Sequence, residues 1–347
     1  MAVTGSGTQA DPYIVHSYSE FISLSDHAYP SDKHMYIQFF DNEHPNQVID
    51  CNAYGSEFKW DTFVAGTPDG SGDTIQYYVD INLNGCTIKN FLIKEGVPMF
   101  KANRRGATYS WANAHIIVHD GSIRNMFMGS ATSKIALCEN DGATITFSNI
   151  SFSTNTTGLT VSAFDGGNGK RMHFDNCAFY IVHATLSTGI MRYCDATDSD
   201  FELHINDQNS KDIFPNSSFT DCRFQGKISG HCVSAGVNND SYVFDQCGLN
   251  SKALDFTNCV IDLDLTDSLG ASDNNFVRYG VLLDYNEYNI NTNVICNSHY
   301  PSIGGERQYS YPSSWNYMPH EGNDGHNIRN GDWLNSQGFT VVEVPGS

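Results

Sequence analysis

One six-residue pattern recurs along this 347-residue chain and limits its fold more than any other feature: apolar, any residue, Asn or Asp, Cys, any residue, apolar. It reads Phe174-Asp175-Asn176-Cys177-Ala178-Phe179, Phe219-Thr220-Asp221-Cys222-Arg223-Phe224 and Phe256-Thr257-Asn258-Cys259-Val260-Ile261. Phe147-Ser148-Asn149-Ile150-Ser151-Phe152 carries Ile in the Cys slot, and Phe244-Asp245-Gln246-Cys247-Gly248-Leu249 carries Gln in the Asn slot. Weaker echoes stand upstream: Val48 with Asp50-Cys51, Leu83 with Gly85-Cys86-Thr87-Ile88, and Val118 with Asp120-Gly121-Ser122-Ile123.

Side chains alternate faces along a strand, so the Asn and the following Cys cannot both face the core of one straight strand. One residue in a left-handed conformation bends the chain and resets the alternation, and after Gly it is Asn and Asp that tolerate this best. Gly85 and Gly121 are assigned to that slot in two of the echoes. The pattern therefore reads as strand, bend, strand.

Bends of one kind, repeated, predict stacking. If successive copies lie about 4.8 Å apart, each strand pairs in parallel with its predecessor. Phe then stacks on Phe, Cys on Cys, and the Asn side chains can hydrogen-bond as a ladder. Most copies are separated by roughly 25 to 45 residues, which suits repeats with loops of varying length. Phe244 and Phe256 are too close for two repeats, so one of them belongs to a different side of the same repeat or matches the pattern by coincidence.

The predicted class is all-β, a right-handed parallel β-helix. Asn, Ser, Thr, Tyr and Phe favour turns and strands. Phe201-Glu202-Leu203-His204-Ile205-Asn206 and Ile261-Asp262-Leu263-Asp264-Leu265 alternate as half-buried strands do. Helical signal is confined to Ser17-Tyr18-Ser19-Glu20 with Phe21, Ile22 and Leu24, a capping box opening a short N-terminal capping helix. Residues 1–30 read as that cap, 31–296 as repeats, and 297–347 as a loop-rich, aromatic C-terminal region within a single domain. The tail carries Tyr309, Tyr311, Trp315 and Tyr317, then a closing segment from Gly331 and Trp333 to Val342, with Gly338 as a helix C-cap before a last strand. The ten cysteines fall at repeated strand positions, and most of them read as reduced, buried small hydrophobes.

The opening Gly5-Ser6-Gly7-Thr8-Gln9-Ala10-Asp11-Pro12-Tyr13-Ile14-Val15, with Ser19-Glu20-Phe21, resembles the start of bacterial and phage β-helix proteins. Leu83-Asn84-Gly85-Cys86-Thr87-Ile88-Lys89-Asn90 is similar to a repeat of the pectate-lyase-like superfamily, as are the Asn/Cys bends. That resemblance spans nearly the whole chain. It implies the fold, and by analogy an appendage or capsid-associated protein of a tailed bacteriophage.

A formal net charge of −20 repels phosphate backbones and anionic membranes, which argues against nucleic-acid or membrane partners. The N-terminus has no secretory pattern and no run reaches the length of a membrane span, so the expected place is the virion, after synthesis in the host cytoplasm.

Three clusters invite an enzymatic or metal-binding reading. Asp262 and Asp264 share a strand face about 7 Å apart, with Asp267 beyond, a separation at which carboxylates can hydrolyse glycosides. Asp195, Asp198, Asp200 and Glu202 could offer oxygen ligands to Ca²⁺, without EF-hand spacing. His320-Glu321 with His326 misses the H-E-x-x-H spacing. Each reads more simply as polar surface, and the scattered arginines match no lyase motif. No catalytic, cofactor-binding or metal-binding residue is assigned, and no cofactor is expected.

The function expected is therefore structural or adhesive: a head fibre, tail fibre or capsid-associated protein, homotrimeric, joined to other virion proteins, with host surface polysaccharide as a candidate contact. The competing expectation is a tailspike depolymerase or polysaccharide lyase.

Overall fold

The computed structural model describes residues 3–27, 29–51, 63–65, 75–90, 92–93, 98–102, 112–128, 134–138, 142–156, 163–167, 172–183, 190–209, 213–231, 242–245, 254–267, 281–283, 288–292, 294–296 and 339–341. Within them the chain is all-β, and every pairing between its named strands is parallel. Two isolated antiparallel bridges, Thr4–Ile14 and Thr8–Asp11, fold the N-terminal segment back on itself.

Three sets of strands alternate along the sequence. The first sheet runs through Tyr13–Val15, His34–Phe39, Ile75–Asn82, the first half of Ala112–Met128 and the first half of Thr144–Thr156. It continues through Met172–Asp175, Cys194–Thr197, Ser218–Thr220, Leu254–Thr257 and Tyr288–Thr292. The second begins at Val48–Asp50 and Thr87–Lys89, then takes the second halves of the two long strands. It goes on to Ala178–His183, Asp200–Asn209, Arg223–His231, Val260–Asp267, Val294–Cys296 and Phe339–Val341. A third, of shorter strands, runs from Phe63–Ala65 through Phe100–Ala102, Ala136–Cys138 and Phe164–Asp165 to Met191–Arg192. Phe214–Pro215, Tyr242–Asp245 and Val281–Leu283 form a further parallel set, joined to the third sheet by the Ile190 N–H donating to Ile213 O at 2.6 Å. One passage through the sheets is called a level below.

The bend between the first and second sheets is the hexad. Asp120, Asn149, Asn176, Asp221 and Asn258 all hold φ between +49° and +59°, as the parity argument requires. The flanking Phe147, Phe152, Phe174, Phe179, Phe219, Phe224 and Phe256 are all buried. Phe174 stacks on Phe147 at 5.3 Å, and Phe152, Phe179, Phe201 and Phe224 form a column with centroids 4.6–5.0 Å apart. Parallel in-register pairing places identical residues one above another, so one large ring per level becomes a continuous aromatic spine.

Several details depart from the sequence reading. Phe219 does not sit directly on Phe174: Ala196-Thr197-Asp198-Ser199-Asp200-Phe201 is an intervening copy, with Asp198 at φ 49°. Ala and Ser in the Phe and Cys slots hide it from a pattern search. One expectation agrees: Phe244 pairs with Phe214 in the further parallel set and Phe256 with Phe219 in the first sheet, so the two lie on different sides of the repeat. The Val48 echo is not a bend. Val48 is 56% exposed, and Cys51 follows the second-sheet strand, its N–H donating to Lys89 O.

Gly121 occupies the Cys slot, not the bend slot, which belongs to Asp120. The reason lies one level below. Asn82 pairs with His119 and Thr87 with Ser122, so that corner holds two more residues, with both Asn84 and Gly85 left-handed. The extra length pushes Leu83 inward. A Cβ on Gly121 would meet Leu83 Cβ at 2.5 Å and Cys86 O at 2.7 Å.

The short helix Tyr18–Ser23 is present, with Ser17 as its N-cap accepting from the Glu20 N–H at 3.2 Å. The Glu20 carboxylate accepts from the His16 N–H at 2.7 Å. Phe21 stacks on Phe63 at 4.6 Å, so the helix closes this end of the core. At the other end Phe339–Val341 adds a last parallel strand to Val294–Cys296. The tail aromatics and Gly338 lie outside the described residues. Among the described residues no helix is long and apolar enough to cross a membrane.

Candidate functional site

Polar chemistry concentrates at the bends and on the outer side of the first sheet. The bends come first, because they set the positions of everything outside them. Reversing parity breaks the backbone ladder, and the Cys of the hexad fills the gap. Cys177 Sγ lies 3.4 Å from Asp175 O, two residues earlier, and 3.5 Å from Phe147 O on the level below. Cys222 repeats this with Thr220 O and Ala196 O, and Cys259 with Thr257 O and Phe219 O. A thiol is small enough for the packed corner and is a weak donor within reach of two carbonyls, of which Thr220 O and Thr257 O also accept from the Asp198 and Asp221 N–H groups. Ser199 serves the same slot, donating to Thr197 O at 2.8 Å and accepting from the Cys177 N–H.

Burial keeps these thiols from solvent, although a hydrogen bond with Cys222 lowers Cys259. Cys51, Cys86, Cys138, Cys177, Cys194, Cys222 and Cys259 are free and buried. Burial pushes Cys51 and Cys177 up to about 12, and Cys194 well above its ordinary range. A hydrogen bond with Cys259, then burial, raises Cys222.

Outside the bend, side chains form two hydrogen-bonded ladders. In one, Asn149 Nδ2 donates to Asp120 Oδ1 at 2.9 Å and Asn176 Nδ2 donates to Asn149 Oδ1 at 2.6 Å. In the other, where the second-sheet strands end, Asn125 donates to Asn90 at 3.3 Å and Asn90 to Asp50 at 2.9 Å. Both run the same way, with a carboxylate at the N-terminal foot and a cation on that carboxylate: His119 on Asp120 at 2.7 Å, and Lys89 on Asp50 at 3.3 Å.

The richest outer cluster lies on His34–Phe39, Ile75–Asn82 and Ala112–His119. Rings stack from Tyr36 to His34 at 4.2 Å and from Tyr78 to His115 at 4.6 Å, and His34 meets Tyr78 at a tilt of 39° and 5.4 Å. Their faces are turned to one another, so ring edges point outward. Tyr36 Oη and His34 Nδ1 are 3.2 Å apart, and His115 bonds Thr144 Oγ1 and Gln76 Oε1 at 2.8 and 2.7 Å. Burial lowers the His115 pKa, favouring the neutral ring, and burial followed by the charges of Asp80 and Asp32 raises Tyr36.

Beside this column, His119 stands between two carboxylates. Nε2 lies 2.8 Å from Asp80 Oδ1 and Nδ1 lies 2.7 Å from Asp120 Oδ2. The bond to Asp80, then the bond to Asp120, outweigh burial and raise His119 to about 9. Ionised carboxylates only accept, so both ring nitrogens carry hydrogen and the ring is cationic near neutral pH.

The clusters suspected from sequence behave differently. Asp195, Asp198, Asp200 and Glu202 do not converge: Asp198 is the exposed apex of a bend, Asp195 lies 3.6 Å from His173, and Glu202 lies 2.8 Å from His204. Among the described residues no group of three or more His, Cys, Asp or Glu is placed to hold a metal ion. Asp262 is half-buried in the second sheet, beside Gln225, and the Asp264 backbone pairs beside Lys227. His320, Glu321 and His326 lie outside the described residues. The Asp80–His119–Asp120 cluster was not foreseen, since Asp80 and His119 are 39 residues apart. Only the Asp120 echo of the hexad pointed near it.

No protein-family model matches the chain, and no curated protein matches it. A crystal structure described as a "putative immunoglobulin A1 protease" from Bacteroides ovatus is similar over 85% of this chain and 86% of its own, with 14% identity and a TM-score of 0.42. At that level no argument about fold or activity rests on the likeness.

Proposed function

We propose that the chain is a right-handed parallel β-helix serving as a structural and adhesive protein of a tailed-phage particle, a head or tail fibre or capsid-associated appendage. Repeated left-handed bends, parallel pairing from level to level and an unbroken aromatic spine support the β-helical reading. The virion reading rests on the resemblance of the opening segment and bends to phage β-helix proteins. Its partners are further copies of itself, as a trimer, other virion proteins and host surface polysaccharide.

One observation favours a structural over a catalytic use of the outer surface. The most enzyme-like cluster, Asp80–His119–Asp120, is locked in its charged form, and an imidazolium with both N–H groups engaged cannot act as a general base. Its bond to Asp80 joins adjacent levels and its bond to Asp120 ties it to its own bend.

The deciding experiment is mass spectrometry of purified particles from a strain carrying the gene, with antibody labelling in the electron microscope. Peptides of this chain in the particle and label on an appendage support the proposal. Absence from purified particles, with a monomer at high concentration in solution, refutes it. Release of reducing ends from host polysaccharide, abolished by Asp262→Asn, supports the depolymerase alternative instead.

A further inference from the structure

Asp80, His119, Asp120, Asn149 and Asn176 form one chain of hydrogen bonds across four consecutive levels of the first sheet and its bend. Its direction follows from charge. Ionised Asp120 can only accept, so Asn149 must present its amide nitrogen, which leaves its oxygen for the Asn176 amide. The second ladder obeys the same rule, from Lys89 and Asp50 to Asn90 and Asn125.

We propose that the Asp80–His119–Asp120 triad is a two-sided pH lock on this outer corner, fixing the direction of the amide ladder while all three members are charged. The charged groups facing His119 are Asp80 from the strand below and Asp120 from its own bend, with Tyr36 behind Asp80. Asn82 and Ser148, its register partners on either side, are uncharged.

The two limbs have opposite signs. His119 binds its proton more tightly when folded, so its contribution is complete below its ordinary 6.5 and is lost as pH rises through about 9. A neutral ring has one N–H, and one carboxylate then faces a lone pair. Asp120 is held below its ordinary 3.8, by the His119 bond and then the Asn149 bond against burial. Its contribution is complete above 3.8 and is lost as pH falls through the lowered value. Protonated Asp120 becomes a donor, and the ladder loses its fixed direction.

Hydrogen–deuterium exchange of the full chain from pH 3 to 10, corrected for intrinsic rates, tests this. Peptides spanning residues 118–123 and 148–152 should show a protected plateau, lose at least about tenfold in protection on the alkaline side, and lose protection to a smaller extent on the acid side. The Phe201 region should stay flat. His119→Gln should abolish the alkaline limb and weaken the acid limb, which then rests on the Asn149 bond to Asp120. Asp120→Asn should abolish the acid limb and leave a smaller alkaline limb carried by Asp80, with the bend kept, since Asn holds the same left-handed position at Asn149 and Asn176. A flat profile in the parent protein, the same limbs in both variants, or equal loss of protection around Phe201 would each overturn the proposal.

Discussion

Replacing Phe201 tests whether the aromatic spine holds the levels together or merely fills space. The ring is fully buried and lies between Phe179 at 4.6 Å and 1° and Phe224 at 4.7 Å and 9°, with Phe214 and Phe219 edge-on at 5.4 and 5.7 Å. Truncating a buried Phe to Ala costs about 3–5 kcal/mol, because transfer energy and a cavity combine. Leu keeps most of the apolar volume and forfeits ring–ring contacts worth about 0.5–1.5 kcal/mol each, so losing the two stacked neighbours costs about 1–3 kcal/mol. Urea unfolding followed by tryptophan fluorescence and far-UV circular dichroism reads both from the midpoint at constant slope. Coincident transitions are expected, since each level leans on its neighbours. A Phe201→Leu protein as stable as the parent, or an Ala variant losing under about 1 kcal/mol, would refute the claim that the spine couples levels.

The bends give further predictions. Gly121→Ala should cost about 1–3 kcal/mol by thermal denaturation, because its Cβ would meet Leu83 Cβ and Cys86 O; a variant as stable as the parent would refute this. Asn176→Gly should be nearly neutral and Asn176→Val should lose about 1–3 kcal/mol, since a β-branched residue resists φ 49°. The seven described buried cysteines should resist iodoacetamide at pH 8 in the native protein and react on unfolding, as peptide mapping would show; rapid native labelling of Cys177 would contradict its burial. Ser17→Ala should cost about 0.5–2 kcal/mol by removing the acceptor for the Glu20 N–H, seen as faster exchange in residues 17–24.

The hexad was legible because it is local. Alternation of Phe, Asn and Cys over six residues implies a parity break, and the only inexpensive way to make one is a left-handed Asn, Asp or Gly. The all-β class, the capping helix at Ser17 and the burial of the cysteines follow from the same local rules. The copy at Ala196 escaped because its large residue is supplied elsewhere: Phe201 and Phe214 are both fully buried on that level. A core is filled by volume, and the sequence does not say which strand supplies it.

What the sequence by itself determined is the sense of the Asn/Cys bends and which of their side chains turn inward. Only the tertiary structure decided register, and with it which polar residues meet. Asp80 and His119 became partners because the levels beneath them contain loops of particular lengths. Gly121 is a glycine because the corner below holds two more residues. Short-range conformational preference is encoded residue by residue. Contact between levels depends on the summed length of everything between them, and no local pattern carries that sum.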